Sequence, residues 1–274
     1  MKNIWAIAAR ELKASFLSPV AYVAIAGFLF VSGIIFSYSV FQFNEYCRQV
    51  PQMQAGMNPD MLRDLNLNEW VIAPFLLVTC YILLVVVPFV TMRLFAEETK
   101  LGTDELLYTS PVSPLEIVAG KFLAALCILS AMVVFVFAHP LLLFRFGNPD
   151  IGPMLSGYLG VFLTAAAFAA VGLFASSLTK SQLIAAVVCF AFLFAFLLFK
   201  VPSMLVKSMA VAIPGARQQI MTWLADLFAY LSLTDHFYSM VEGKIYVKDV
   251  VFYLSFIFFF LFLTLRVCES RRWR

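Results

Sequence analysis

Six apolar runs, each long enough to cross a bilayer, constrain this 274-residue chain more than any other feature. A helix needs about 20 consecutive apolar residues to traverse roughly 30 Å of hydrocarbon. The runs lie at approximately 20–41, 71–93, 119–144, 153–178, 182–199 and 249–266. Their cores hold no Asp, Glu, Lys or Arg, and the only imidazole among them is His139, beside Pro140. With 63% hydrophobic and 13% charged residues, a soluble fold would lack the charge needed to wet its surface. The expected fold is an all-α membrane protein. Six transmembrane helices (19–268) follow an amphipathic interfacial helix, and short re-entrant or interfacial helices separate the fifth and sixth spans.

Residues 1–18 have a different pattern. Trp5, Ala8, Leu12 and Phe16 share one helical face, while Asn3, Arg10 and Lys13 fall elsewhere, as in a helix lying in the membrane interface. Ser18-Pro19 should end this helix and turn the chain into the first span. No short apolar stretch ends in a small-residue cleavage site, so the first span is expected to stay. Lys and Arg near span ends set orientation. Lys2, Arg10 and Lys13 stand at the N-terminus; Arg266, Arg271, Arg272 and Arg274 stand at the C-terminus. With six spans both termini share a side, expected to be the cytoplasm, and 269–274 form a basic cytoplasmic tail. Residues 94–118 then face inside, and Thr179-Lys180-Ser181 makes a tight inside turn. Segments 42–70 and 200–248 face outside. The second of these is broken at Pro202 and Pro214. Its helices either re-enter the bilayer or lie on the outer interface, an arrangement that Trp223, Tyr230 and Tyr238 would suit.

Along the fourth span, Gly152, Ser156, Gly160, Thr164, Gly172 and Ser176 would let helices approach closely, within one subunit or between two. Pro88 and Pro140 should kink their helices. Catalytic motifs are missing. There is no phosphate-cradling G-x-x-x-x-G-K-[ST], H-E-x-x-H or G-x-S-x-G, and Ala119-Gly120-Lys121 lacks the earlier glycine. His139 and His236 are far apart, and the five cysteines form no C-x-x-C pair, so neither a metal site nor a disulfide framework is expected. A net charge of +3, scattered along the chain, does not fit a nucleic-acid binder. Ion-coupled carriers place ionisable groups inside their spans, which this chain does not. A non-catalytic membrane subunit, binding no cofactor or metal itself, is the expectation.

The inside segment 94–118 carries the most information. Gly102 and Thr103 form a turn and an N-cap signal, and Asp104 and Glu105 suit the first turn of a helix, where the macrodipole favours acids. Leu106, Leu107 and Tyr108 give this short helix an apolar side, and Ser110-Pro111 stops it. A second start follows at once: Ser113 as N-cap, Pro114 at N1 and Glu116 at N3 make a capping box that launches the third span.

This stretch resembles the coupling region of permease subunits of type-2 ATP-binding-cassette exporters. The matching residues are Arg93, Phe95, Ala96, Glu98, Gly102, Thr103, Glu105, Leu107, Pro111, Val112, Ser113, Gly120 and Lys121. Glu11-Leu12, Phe16, Ser18-Pro19 and Tyr22 are similar to the family's elbow helix and first span. Leu231-Ser232-Leu233, Asp235-His236-Phe237, Gly243, Asp249 and Tyr253 resemble its gliding-motility branch. The resemblance implies one half of a bacterial inner-membrane exporter core, paired with a second permease half, the same or a related chain. It also implies a separate cytoplasmic ATPase that carries the ATP and Mg, docked on residues 103–108. In members of that branch a membrane subunit with a large extracytoplasmic domain accompanies the permease. An alternative within the resemblance is a mechanotransmitting or scaffold subunit that moves no solute.

Overall fold

A computed structural model describes residues 2–53, 66–103, 112–145, 147–212 and 216–272. Among these residues there are helices and connecting turns but no strand. Helix α1 spans Lys2–Leu17 and α2 spans Pro19–Met53. One π-helical turn at Asn68–Ile72 leads into α3 (Ala73–Thr91), which α4 (Arg93–Leu101) extends. Helix α5 (Pro114–Leu141) ends in a 3-10 turn, and α6 (Ile151–Ser177) and α7 (Gln182–Leu198) follow. Three shorter helices, α8 (Lys200–Ala212), α9 (Ala216–Leu231) and α10 (Leu233–Val241), precede α11 (Val247–Arg272). Six continuous helices among the described residues are long and apolar enough to cross a membrane: Pro19–Gln49, Asn68–Leu101, Pro114–Arg145, Ile151–Ser177, Gln182–Met209 and Val247–Arg271.

Several helices outrun the apolar stretches that announce them. Helix α2 continues to Met53, beyond residue 41, because the polar residues there end the hydrophobic run without breaking a helix. Helix α4 likewise carries the second span to Leu101, so the first part of segment 94–118 is helix rather than loop. Gly102 ends it in the left-handed region (φ 70°), and the Thr103 N–H closes the turn onto the Glu98 carbonyl at 3.0 Å.

Helix α6 is the most buried span and packs against α3, α5, α7, α10 and α11. In lipid there is no hydrophobic drive between helices, so close backbone approach and buried hydroxyl bonds must hold them. A side chain at Gly172 would overlap Thr91 of α3, and one at Gly160 would press on Phe237 and Met240 of α10. Ser176 donates to the Met92 carbonyl (2.8 Å) and accepts the N–H groups of Phe95 (3.0 Å) and Ala96 (3.1 Å). It thereby ties α6 to the α3–α4 junction just beyond Pro88. Gly160, Gly172 and Ser176 of α6 thus serve contacts within the chain, whereas Gly152 meets no neighbour in it. By contrast α2, α7 and α11 keep broad apolar faces exposed, including Val23, Phe30, Leu183, Val187 and Phe258.

Candidate functional site

Both termini lie at one end of the bundle. Near the C-terminus, Arg271 donates to Thr99 Oγ1 of α4 (2.7 Å) and to the carbonyl of Ser177 at the end of α6 (2.5 Å). Helix α1 lies at the same end, packed along the start of α5. Ile7, Ala8 and Ser15 are buried in this contact, Leu12 packs against the core, and Trp5 and Phe16 remain exposed. Two features of α5 shape this contact. Gly120 presents bare backbone against which Ile7 seats, and the next residue, Lys121, requires an acid.

Lys121 is fully buried. Its ammonium group lies 3.0 Å from Glu11 Oε1 on α1 and 2.8 Å from Glu98 Oε2 on α4. It also donates to the Leu94 carbonyl of α4 at 2.5 Å and sits 5.0 Å from the centre of the Phe95 ring. The Glu98 Oε2 contact is an ion pair without hydrogen-bond geometry. Arg10 completes the cluster, with one guanidinium nitrogen 2.7 Å from Glu11 Oε1 and 2.6 Å from Glu98 Oε1. Two cations and two carboxylates thus join three helices far apart in sequence. Burial opposes ionisation of Glu11, but Lys121 and Arg10 outweigh it and hold the carboxyl below the usual carboxylate range.

A second contact fixes the tip of α1. The expected capping box is formed: Glu116 N–H donates to Ser113 Oγ (3.2 Å) and Ser113 N–H donates to Glu116 Oε2 (3.1 Å), with Pro114 at the first helical position. The Asn3 amide donates to Glu116 Oε1 at 3.2 Å. Of the site residues expected from the sequence, Glu98 and Lys121 therefore meet directly, and Ser113, Pro114 and Glu116 build the adjoining helix start. Gly102 and Thr103 close α4, while Arg93 opens it and touches none of this network. Asp104, Glu105, Leu106, Leu107 and Tyr108 lie outside the described residues. Sequence reasoning passed over Arg10 and Glu11 as partners. The available signal was Lys121 itself, a cation just inside an apolar run, which must find an anion.

At the other end, three residues singled out in the sequence converge. His236 Nδ1 lies 2.7 Å from Asp249 Oδ1, and His236 Nε2 lies 3.0 Å from the Tyr230 carbonyl. Each ring nitrogen has a partner, so the ring is held in orientation from both sides. The ring stacks on Phe252 at 4.0 Å. Tyr253 donates to the Leu233 carbonyl (3.1 Å) and accepts from Thr164 of α6 (3.0 Å), and Ser156 donates to the Met240 carbonyl (2.7 Å). Helix α10 is thereby stitched to α6 and to the start of α11. His139 sits apart, its Nδ1 3.1 Å from the Val136 carbonyl and its ring against Phe36 and Phe75, as a structural histidine would. Among the described residues no three His, Cys, Asp or Glu side chains form a metal-sized cluster.

A bundle of six spans, with a charged joint beside the α4–α5 connection and no catalytic constellation in the described residues, defines a multi-pass membrane subunit. Residues 63–266 match the family described as ABC-2 family transporter protein, and the chain belongs to that family. It is a permease subunit of an ATP-binding-cassette transporter, a class that is in general non-catalytic and pairs with a separate ATPase. No curated protein matches the chain.

Proposed function

We propose that this permease is one half of an exporter core, powered through segment 94–118 by a cytoplasmic ATPase that carries ATP and Mg. The observation that supports this most is the position of Lys121. One ammonium group links α4, which precedes residues 104–111, to α5, which follows them, and links both to α1. A docked protein pushing on 104–111 would therefore move three helices as a unit instead of deforming a loop. Asp104, Glu105, Leu106, Leu107 and Tyr108 would supply the docking surface, with Glu98, Gly102 and Thr103 as its near edge. The clustering of basic residues at the end that bears both termini supports a cytoplasmic placement. The bonding of Leu233 to Tyr253, beside Thr164, supports a re-entrant reading of α10: that level lies about 20 Å along α6 from Ile151 by helical rise.

The test is pull-down of the cognate ATPase at equal membrane abundance, with stimulated hydrolysis measured alongside. Leu107→Ala and Glu105→Arg should weaken recovery or uncouple hydrolysis from transport, since losing a buried anchor costs about 1–4 kcal/mol. Substitution of exposed Lys13 to Gln should change neither. Unchanged recovery and hydrolysis in both loop variants would reject the segment as the power input.

A second reading is a mechanotransmitting subunit. One feature favours it: α8 and α9 pack mainly on each other and keep Met204, Leu205, Ile220 and Trp223 exposed, as a lever for an extracytoplasmic partner would. Co-purification of such a partner, with no solute flux in reconstituted vesicles, would select this reading over export.

A further inference from the structure

At the end of the bundle that carries both termini, a cleft of about 690 Å³ opens between the α3–α4 helix and the α6–α7 turn. Lys100 and Lys180 line it from opposite sides, and no acidic residue does. Both lysines are exposed, and among the described residues neither has a carboxylate partner. The turn adds hydroxyls from Thr179 and Ser181 and opens α7, whose capping side chain at Ser181 makes no hydrogen bond to the helix. Ser181 N–H is taken by Thr179 Oγ1 (3.1 Å), and the first intrahelical bond of α7 is Ala185 N–H to the Ser181 carbonyl, so the N–H groups of Gln182, Leu183 and Ile184 are left for a ligand. Two unpaired cations beside a helix N-terminus form an anion site.

What borders this site is apolar. Phe89 lines the cleft and also lines a second groove, of about 740 Å³, between α2 and α3. That groove is almost wholly hydrocarbon, from Val85 and Ile82 on one wall to Val20 and Val23 on the other. From Phe89 to Tyr81 it runs about 12 Å by helical rise, most of one leaflet's share of a hydrocarbon core roughly 30 Å thick. Gly27 leaves its middle open, with no atom near where a side chain would project.

We propose that cleft and groove together bind one anionic phospholipid, with the phosphate between Lys100, Lys180 and the α7 N-terminus and an acyl chain in the α2–α3 groove. The chemistry of the polar end is that of any phosphate ester. The acyl-length groove beside it, with Phe89 lining both, commits the site to a lipid rather than a soluble anion. Lys100 belongs to segment 94–118, but lipid retention is read on the chain without an ATPase, so its outcome is separate from that of the docking test.

Native mass spectrometry of the full chain, purified from nanodiscs of phosphatidylcholine mixed with phosphatidylglycerol, reads this directly. Wild type should retain phosphatidylglycerol in preference to phosphatidylcholine. Lys100→Gln and Lys180→Gln should each reduce that retention about fivefold, the effect expected for one basic residue at an anionic lipid surface. Lys180→Arg should keep it. Gly27→Leu should reduce retention of the lipid with both lysines intact. Circular dichroism and size-exclusion profiles matching wild type exclude misfolding as the cause. Equal retention of the two lipids, or retention unchanged by the lysine variants, would overturn the site. So would displacement of the lipid by millimolar glycerol phosphate, which marks a soluble-anion site, or cross-linking of Val85 to a second copy in lipid-free dimers, which marks a protein interface.

Discussion

The two ends of the bundle solve the same problem with different chemistry. At the end bearing the termini, Lys121, Arg10, Glu11 and Glu98 form a charged joint with four ionised groups in mutual contact. At the opposite end α10 is held by the hydroxyls of Ser156 and Tyr253, the latter bonded to Thr164, together with two separate pairs, His236–Asp249 and Lys200–Asp235. A charged, buried knot is stiff, and losing one member leaves the others uncompensated. Hydroxyl bonds are individually weak and can be exchanged one at a time. Under the proposed function, the charged joint is where force would pass between helices.

The sharpest way to break the comparison is Lys121→Met. It leaves Glu11 and Glu98 with only the half-exposed Arg10 as counter-charge and should cost about 4 kcal/mol, within the range for a broken buried pair. Thermal unfolding in detergent should register this, and Glu11→Gln with Glu98→Gln should restore much of the loss. His236→Leu strands a single carboxylate, Asp249, and should cost about 3 kcal/mol. Hydrogen exchange should then accelerate in α10 and not in α1; acceleration at both ends would mean that they are not independent. Thr164→Val removes one link of the hydroxyl chain and should cost about 1 kcal/mol by the same unfolding assay.

The smallest effect belongs to Arg10, whose side chain is about half exposed (52%). Arg10→Gln should cost about 0.5 kcal/mol, less in high salt. Acid should act on the same joint. Because the folded state holds Glu11 below its ordinary range, its contribution is present above the unfolded-state pKa and is lost as pH falls through the lowered folded value. Proteolytic release of α1 should therefore appear only on strong acidification, and Lys121→Met, which leaves Arg10 alone beside Glu11, should move that release to milder acid.

The class of the molecule was legible in the linear chain, because a 20-residue apolar run has few stable fates other than a membrane helix. Ser113, Pro114 and Glu116 likewise announced a helix start, since capping is local and every partner lies within four residues. Gly102 could be read as a turn, and Glu98 and Lys121 could be named from the family resemblance. What joins Lys121 to Glu11 across 110 positions could not, because a charge in sequence does not say which opposite charge folding brings to it. Which residues of α1 pack was decided in the same way, since Ile7 is seated by Gly120 and Glu11 is drawn in by Lys121, both on another helix. So was the meeting of His236, Asp249 and Tyr253, and the cleft where Lys100 and Lys180 face each other. Local propensity and hydropathy act within a few turns of chain. Tertiary packing alone chooses the partners of buried polar groups, because their cost in an apolar medium can be offset only by atoms from elsewhere in the fold.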